Sequence, residues 1–432
     1  MQKSAYKWFV LMLLPALLLA GCGSSNQGSN SIDPAPEQTN SSPPIHTESP
    51  KPDPSNETSA TPTPDPQLDM IQEQMKNMSL DEKIGQLVIV GLDGTEMNGF
   101  TQKMIQDYKV GGFILFKDNI KNAQQTLALL NDLKQTNTSN DIPLWLSVDQ
   151  EGGRVSRMSS EFVKIPAAGH VAAANNLPYT NGIGKALGTE LKALGFNLDF
   201  APVLDINSNP KNPVIGDRSY GSTPDKVTAH GLEALDGITS EGVAAVVKHF
   251  PGHGDTSVDS HYDLPLVHKS LEELEKFELI PFKEAIEQEV DAIMVAHLLM
   301  MDLDTKHPAS ISEAVINDLL REKLGYEGVV ITDDMTMGGL LNGNKIGDAS
   351  VTAVQAGADI VLVSHEEKLR IEALDALRQA VHSGEISKER LDESVYRVLS
   401  LKQKYKLSDE STPDIDVSAV NEVINNALQA RP

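Results

Sequence analysis

The segment "KHFPGHGDTSVDSHYDLP" (248–265) holds three histidines and three aspartates, the densest such cluster in the chain. Three chemistries suit it. His253, Asp255, Asp259 and His261 have the donor types of a zinc or iron site, although this glycine-rich stretch lacks the helical spacing that would fix two histidines on one face. "GHG" resembles a phosphate cradle but lacks the Walker spacing and its lysine. Acid–base work asks for less: Asp259 and His261 are two apart, so a short loop lets the carboxylate orient the imidazole and stabilise its protonated form. A histidine so paired can donate a proton and take one back near neutral pH. The plain alternative, that these side chains only satisfy loop backbone, must account for the whole cluster at once.

A second candidate stands at the end of "GVVIT", where Asp333 and Asp334 are adjacent. One carboxylate of such a pair commonly caps the next helix, a structural role expected here of Asp334 or Thr336. Asp333 is then available to face a cavity as a nucleophile. Spacing alone does not choose between nucleophile and cap.

These groups need a scaffold. After residue 68, short apolar runs alternate with segments of helical period. The runs are 86–92, 111–116, 144–149, 198–205, 243–250, 291–298, 328–334 and 358–365. Continuous apolar runs suit strands buried on both faces, hence a parallel sheet covered by helices. Eight of them predict a single α/β domain, a closed (β/α)8 TIM-type barrel, with an open doubly wound sheet as the alternative. The polar residues favour the barrel. Lys117, Asp118, Asp149, Asp205, Lys248, His249, His297, Asp333, Asp334 and His365 all fall at the carboxyl ends of the runs. In a barrel those ends ring one mouth. Ser79 to Glu82 has capping-box spacing and opens an early helix. The barrel domain is expected over 68–406, with 407–432 a short tail that leaves no room for a second domain.

The amino terminus reads differently. Residues 1–21 have two lysines, an apolar run too short to span a bilayer comfortably, and a small-residue site, the plan of an export signal. "LAGC" resembles the lipobox of bacterial lipoproteins, which makes Cys22 the expected lipidation site. Cys22 is the only cysteine, so neither a disulfide nor a thiolate zinc site is available to the folded part. Residues 22–67 are rich in Ser, Pro and Thr and are expected to form a disordered tether. The formal charge of −25 argues against nucleic acid as a partner and against docking of the folded domain on anionic lipid. Membrane attachment is therefore expected through the lipid anchor only, on the outer face of a bacterial cell membrane.

Longer motifs bring a family into view. "LLREKLGYEGVVITDDMT" (319–336) resembles the active-site signature of glycoside hydrolase family 3, and "KHFPGHGDTSVDSH" (248–261) the loop of its β-N-acetylglucosaminidase branch. "VDQEGGRVSR", "NLDFAPVLDIN", "NPVIGDRSYG", "MVAHL" and "HPASIS" extend the resemblance, in order, over essentially the whole folded region. The resemblance implies a retaining, two-step hydrolysis: Asp333 attacks the anomeric carbon, while His261, paired with Asp259, protonates the departing oxygen and then activates water. Many family members take that proton from a second domain; with none expected here, the loop would supply its own. Asp149, Arg157, Arg218, Lys248 and His249 would bind the non-reducing N-acetylglucosamine. Arg154 is expected to pair with a carboxylate, His253 to order the loop, and Asp205 to be structural; His297 is either site wall or satisfied strand end.

The expected protein is an exported, monomeric exo-β-N-acetylglucosaminidase acting on β-linked glycans or muropeptides, with neither cofactor nor metal. Phosphorolysis at the same site, or sugar binding without turnover, are the alternatives.

Overall fold

The computed structural model describes residues 66–432. The export signal, Cys22 and nearly all of the expected tether lie outside the described residues.

In chain order the strands are β1 (Val88–Gly91), β2 (Gly112–Leu115), β3 (Trp145–Val148), β4 (Leu198–Asp199), β5 (Ala244–Phe250), β6 (Leu266–Val267), β7 (Ala292–Val295), β8 (Leu299–Met300), β9 (Val329–Thr332) and β10 (Val361–Val363). Each of the eight apolar runs contains one strand of a parallel sheet ordered β10-β1-β2-β3-β4-β5-β7-β9. A parallel bridge between Ile331 and Ile360 joins the two ends, so the sheet closes. The barrel expectation holds and the open sheet does not. Strands β6 and β8 form a separate parallel pair.

Successive strand residues point to opposite faces, and both faces here are apolar. Ile89, Ile114, Trp145, Val246, Met294 and Ile331 fill the barrel axis. Their neighbours Val88, Phe113, Leu146, Val247, Val295 and Val330 pack outward against the helices. The strands' amino-terminal ends are tied by buried ions. Lys402 donates to Gln86 Oε1 at 2.7 Å and to the carbonyls of Gly111 and Pro143 at 2.9 and 2.6 Å, the chain just ahead of β1, β2 and β3. Asp359, just ahead of β10, accepts from Arg321, Arg390 and Ser394. These residues lie away from the carboxyl ends, where the mouth of a barrel carries its chemistry.

Ser79 and Glu82 form the expected reciprocal capping box at the helix Leu80–Gln86. The segment 271–290 is two helices, Leu271–Lys276 and Ile280–Glu287, because Pro281 has no N–H to continue a helix and sits in the first turn of the second. Residues Ala314–Lys323 form a π-helix. The expected tail contains the helix Val417–Gln429, capped by Asp416, with Val420 and Ile424 buried; it packs against the helix Leu177–Leu194. The domain therefore runs well past residue 406.

Candidate active site

A cavity of about 290 Å³ opens at the carboxyl ends of the barrel strands. Asp149, Arg157, Arg218, Lys248, His249, His261 and Asp333 all line it, so seven of the eight expected catalytic and binding residues converge on one space. The eighth, Asp259, stands behind His261. A hollow of about 500 Å³ lies at the opposite end around Tyr326 and Arg397. There Asp291 and Lys404 pair with each other, and no catalytic set converges.

One wall is a buried charge network. Lys248, at the end of β5, contacts Asp149 Oδ1 at 2.7 Å and Glu151 Oε1 at 2.8 Å. Arg218 grips both oxygens of Glu151, at 2.7 and 2.8 Å. Burial alone would raise the pKa of Glu151, but Arg218 and Lys248 hold it well below the usual carboxylate range. Burial likewise opposes the charge of Lys248, yet Asp149 and Glu151 keep its pKa above an ordinary lysine's.

Arg157 is held from several sides. Its N–H donates to Gln150 Oε1 at 2.8 Å, and Lys117 Nζ donates to its carbonyl and that of Met158. Its guanidinium lies over the Phe116 ring, 5.9 Å from the centroid, and 3.7 Å from Asp149. Its Nε–H is buried without a partner, as is the Ser364 hydroxyl on the same cavity. Buried donors seldom go unsatisfied, so these fit the hydroxyls of a ligand.

His249 Nδ1–H donates to Asp205 Oδ2 at 2.6 Å, which leaves Nε2 towards the cavity, 3.5 Å from Arg218. Asp205 also accepts the His253 N–H at 2.7 Å. Burial would raise the Asp205 pKa, but His249 and His253 lower it overall. His253 lies between the hydroxyls of Thr256 and Ser260, and burial pushes its pKa down to about 4, so it stays neutral as a loop support. Gly254 sits where a Cβ would fall 1.7 Å from the Ile206 carbonyl oxygen, so only glycine lets the loop cross there.

The densest stretch of the sequence is thus divided among separate partners. Asp255 pairs with Lys269, His253 with two hydroxyls, and Asp259 with His261. Asp259 accepts the His261 backbone N–H at 2.9 Å and lies 2.8 Å from its Nδ1. Burial raises the Asp259 pKa, but the bonds from His261 lower it overall. With Nδ1 so occupied, His261 turns Nε2 to other work; its side chain is 59% exposed, on the rim.

Asp333 comes directly after β9. Burial pushes its carboxyl up, but His297, His249, the Asp334 N–H and His261 outweigh burial, so it is ionised at neutral pH. Asp334 is structural: it accepts from Thr336 N–H and hydroxyl and from the Ser364 N–H, tying the turn after β9 to the end of β10. It caps this turn and not the helix Gly338–Leu341, whose preceding Met337 offers no side-chain cap. His297 is fully buried with both ring nitrogens partnered, Nδ1 by Ser310 and Nε2 by the Asp334 carbonyl, so it is a satisfied strand end. Arg154 pairs with Asp217 at 3.3 Å.

Sequence reasoning missed Glu151 and Gln150. Glu151 had a signal: Lys248 and Arg218 at a buried mouth need more counter-charge than Asp149 supplies.

The model of the "Glycosyl hydrolase family 3 N terminal domain" matches residues 79–401. Among curated relatives, beta-hexosaminidase A of Pseudoalteromonas piscicida is 35% identical over 72% of this chain, which spans only 56% of that longer protein. Beta-hexosaminidase LpqI of Mycobacterium tuberculosis is also 35% identical, over 75% of this chain and 83% of its own. The solved family 3 β-N-acetylglucosaminidase from a Paenibacillus species superposes with a TM-score of 0.77 at 43% identity, covering 82% of this chain and 69% of that one. A match this long, running through every strand from β1 to β10, makes the chain a member of glycoside hydrolase family 3.

Proposed function

We propose that the protein is an exo-acting, retaining β-N-acetylglucosaminidase in which Asp333 is the nucleophile and His261 the acid/base. One observation carries this reading: an ionised carboxylate and an aspartate-oriented histidine line the same one-sugar cavity. At about 290 Å³ it lies just below the range for drug-sized small-molecule sites, about 300–1,000 Å³. It therefore suits a terminal sugar better than an internal one.

In the first step Asp333 forms a bond to the anomeric carbon as the glycosidic bond breaks, and His261 delivers a proton to the leaving oxygen. In the second, His261 takes a proton from water, whose oxygen displaces Asp333. Asp259 stabilises the charged form of the imidazole. Arg157, Asp149, Lys248 and His249 meet the sugar hydroxyls. Arg218 gives most of its donors to Glu151 and Val214, so its chief contribution is to hold the wall. The beta-hexosaminidase and β-N-acetylglucosaminidase relatives support the substrate class. The lipobox-like "LAGC" and the Ser/Pro/Thr-rich segment behind it support export, lipidation at Cys22 and work on cell-wall fragments such as N-acetylglucosaminyl-N-acetylmuramic acid.

The test is turnover of nitrophenyl β-N-acetylglucosaminide and the matching β-glucoside by the wild type, Asp333→Ala and His261→Ala, with products analysed with and without phosphate. Turnover of the N-acetyl substrate alone, lost in Asp333→Ala, is the expected result. Preference for the glucoside, or turnover without Asp333, overturns the reading.

A further inference from the structure

We infer that Gly338, Gly339 and Asn342, in the short helix Gly338–Leu341 and its C-cap, are the seat on which the 255–263 loop closes, and that they position His261 for proton transfer. This rests on the proposed acid/base role of His261.

Asp259 belongs to the same loop as His261, so their mutual bonds orient the ring but do not tell the loop where to stand. Position comes from outside. Ser260 Oγ lies 2.9 Å from His253 Nε2, and then three successive carbonyls are received by the helix Gly338–Leu341 and its C-cap. Gly339 N–H donates to Ser260 O at 3.0 Å, Gly338 N–H to His261 O at 3.1 Å, and the Asn342 side-chain amide to Tyr262 O at 2.9 Å. The turn leading into that helix is bound to the nucleophile, because Asp334, next to Asp333, holds Thr336. Nucleophile and proton donor are thus registered against each other through one short piece of chain.

The glycines serve space and not backbone conformation, since neither has a left-handed φ. A Cβ on Gly338 would lie 2.9 Å from the carbonyl oxygens of His261 and Tyr262, and one on Gly339 only 2.6 Å from that of Ser260. Those neighbours are backbone, so the loop itself would have to lift. The cost falls on proton transfer, which matters most when the leaving group is a poor one.

The experiment uses the full chain, with Gly339→Ala and Asn342→Ala each made alone and in a His261→Ala background. Substrates are a nitrophenyl β-N-acetylglucosaminide and an unactivated β-linked N-acetylglucosamine disaccharide. Gly339→Ala should lower kcat/KM on the disaccharide about a hundredfold, the low end of what general acid catalysis contributes, and on the nitrophenyl substrate by no more than about threefold. A burst of nitrophenol should appear, because the slowed water step lets the glycosyl-enzyme accumulate. Asn342→Ala, an exposed and milder change, should show the same pattern at about fivefold on the disaccharide. In the His261→Ala background neither should add anything. Equal losses on both substrates, or losses that add to that of His261→Ala, overturn the seat. If His261→Ala itself shows no dependence on the leaving group, the proton-shuttle reading falls and the seat with it.

Discussion

Glu151 carries a heavy electrostatic load at the site, because two buried cations depend on it. Glu151→Gln keeps the shape and removes the charge. It should cost about 3–5 kcal/mol of stability at neutral pH, the range for breaking a buried ion pair from one side, and weaken sugar binding through the misplaced Lys248. The pH dependence has a definite sign. A carboxylate with a depressed pKa contributes stability above its unfolded value, about 4.3, and loses that contribution as pH falls towards the folded value. The gap between wild type and Glu151→Gln in denaturant melts should be widest at neutral pH and shrink below about pH 4.

Glu190, on the helix Leu177–Leu194, behaves oppositely. It is buried beneath the site and accepts from Gln150 Nε2 at 2.6 Å; burial lifts its pKa to about 8. The folded protein therefore retains a proton that the unfolded chain releases above about pH 4.3, so stability drains away as pH rises from there to about 8. Glu190→Gln should remove that loss. The variant should gain roughly 1–3 kcal/mol over wild type at pH 8 and nothing at pH 4, read from melts at the two pH values. A gain over wild type no larger at pH 8 than at pH 4 would refute the buried, neutral acid.

At the scale of elements, the helix Val417–Gln429 reaches towards the site. Asn421 Oδ1 accepts the Val163 N–H at 2.7 Å and its amide donates to Glu161 O at 2.8 Å, bracing the chain just beyond Arg157 and Met158. Gly153 N–H donates to Ile165 O in the same braced segment. Ile424→Ala should cost about 2–4 kcal/mol, as for other buried aliphatic truncations, seen as a lower melting temperature. Asn421→Ala should instead cost only about 1–2 kcal/mol, two side-chain bonds at about 1 kcal/mol each at most, and raise KM about two- to fivefold. An unchanged KM would sever the helix from the site.

At the scale of the whole molecule, closure of the sheet decides function. The groups proposed to act come from β3, β5 and β9 and the loops between, and only a ring brings those three edges to one mouth. Much of this was legible in the chain. Strands buried on both faces must be apolar throughout, so all eight declared themselves, and the polar residues at their ends marked the mouth. Asp259 and His261 were legible because their partnership is local, two residues apart.

Long-range partnerships were not. Which carboxylate neutralises Lys248 depends on packing across 97 residues for Glu151 and 99 for Asp149, and a one-dimensional pattern has no term for that separation. Asp205 read as structural, but that it orients His249 emerged only from the loop folding back on it. The last helix was overlooked because a short amphipathic segment has no stability of its own until a groove receives it. The need of Gly338 and Gly339 for space exists only once the 255–263 loop lies across them. Sequence by itself determined what each strand and loop must be made of, because burial and local bonding are settled within a few residues. Tertiary structure alone decided which charges meet and where the histidine stands, because those depend on distances that closure of the barrel creates.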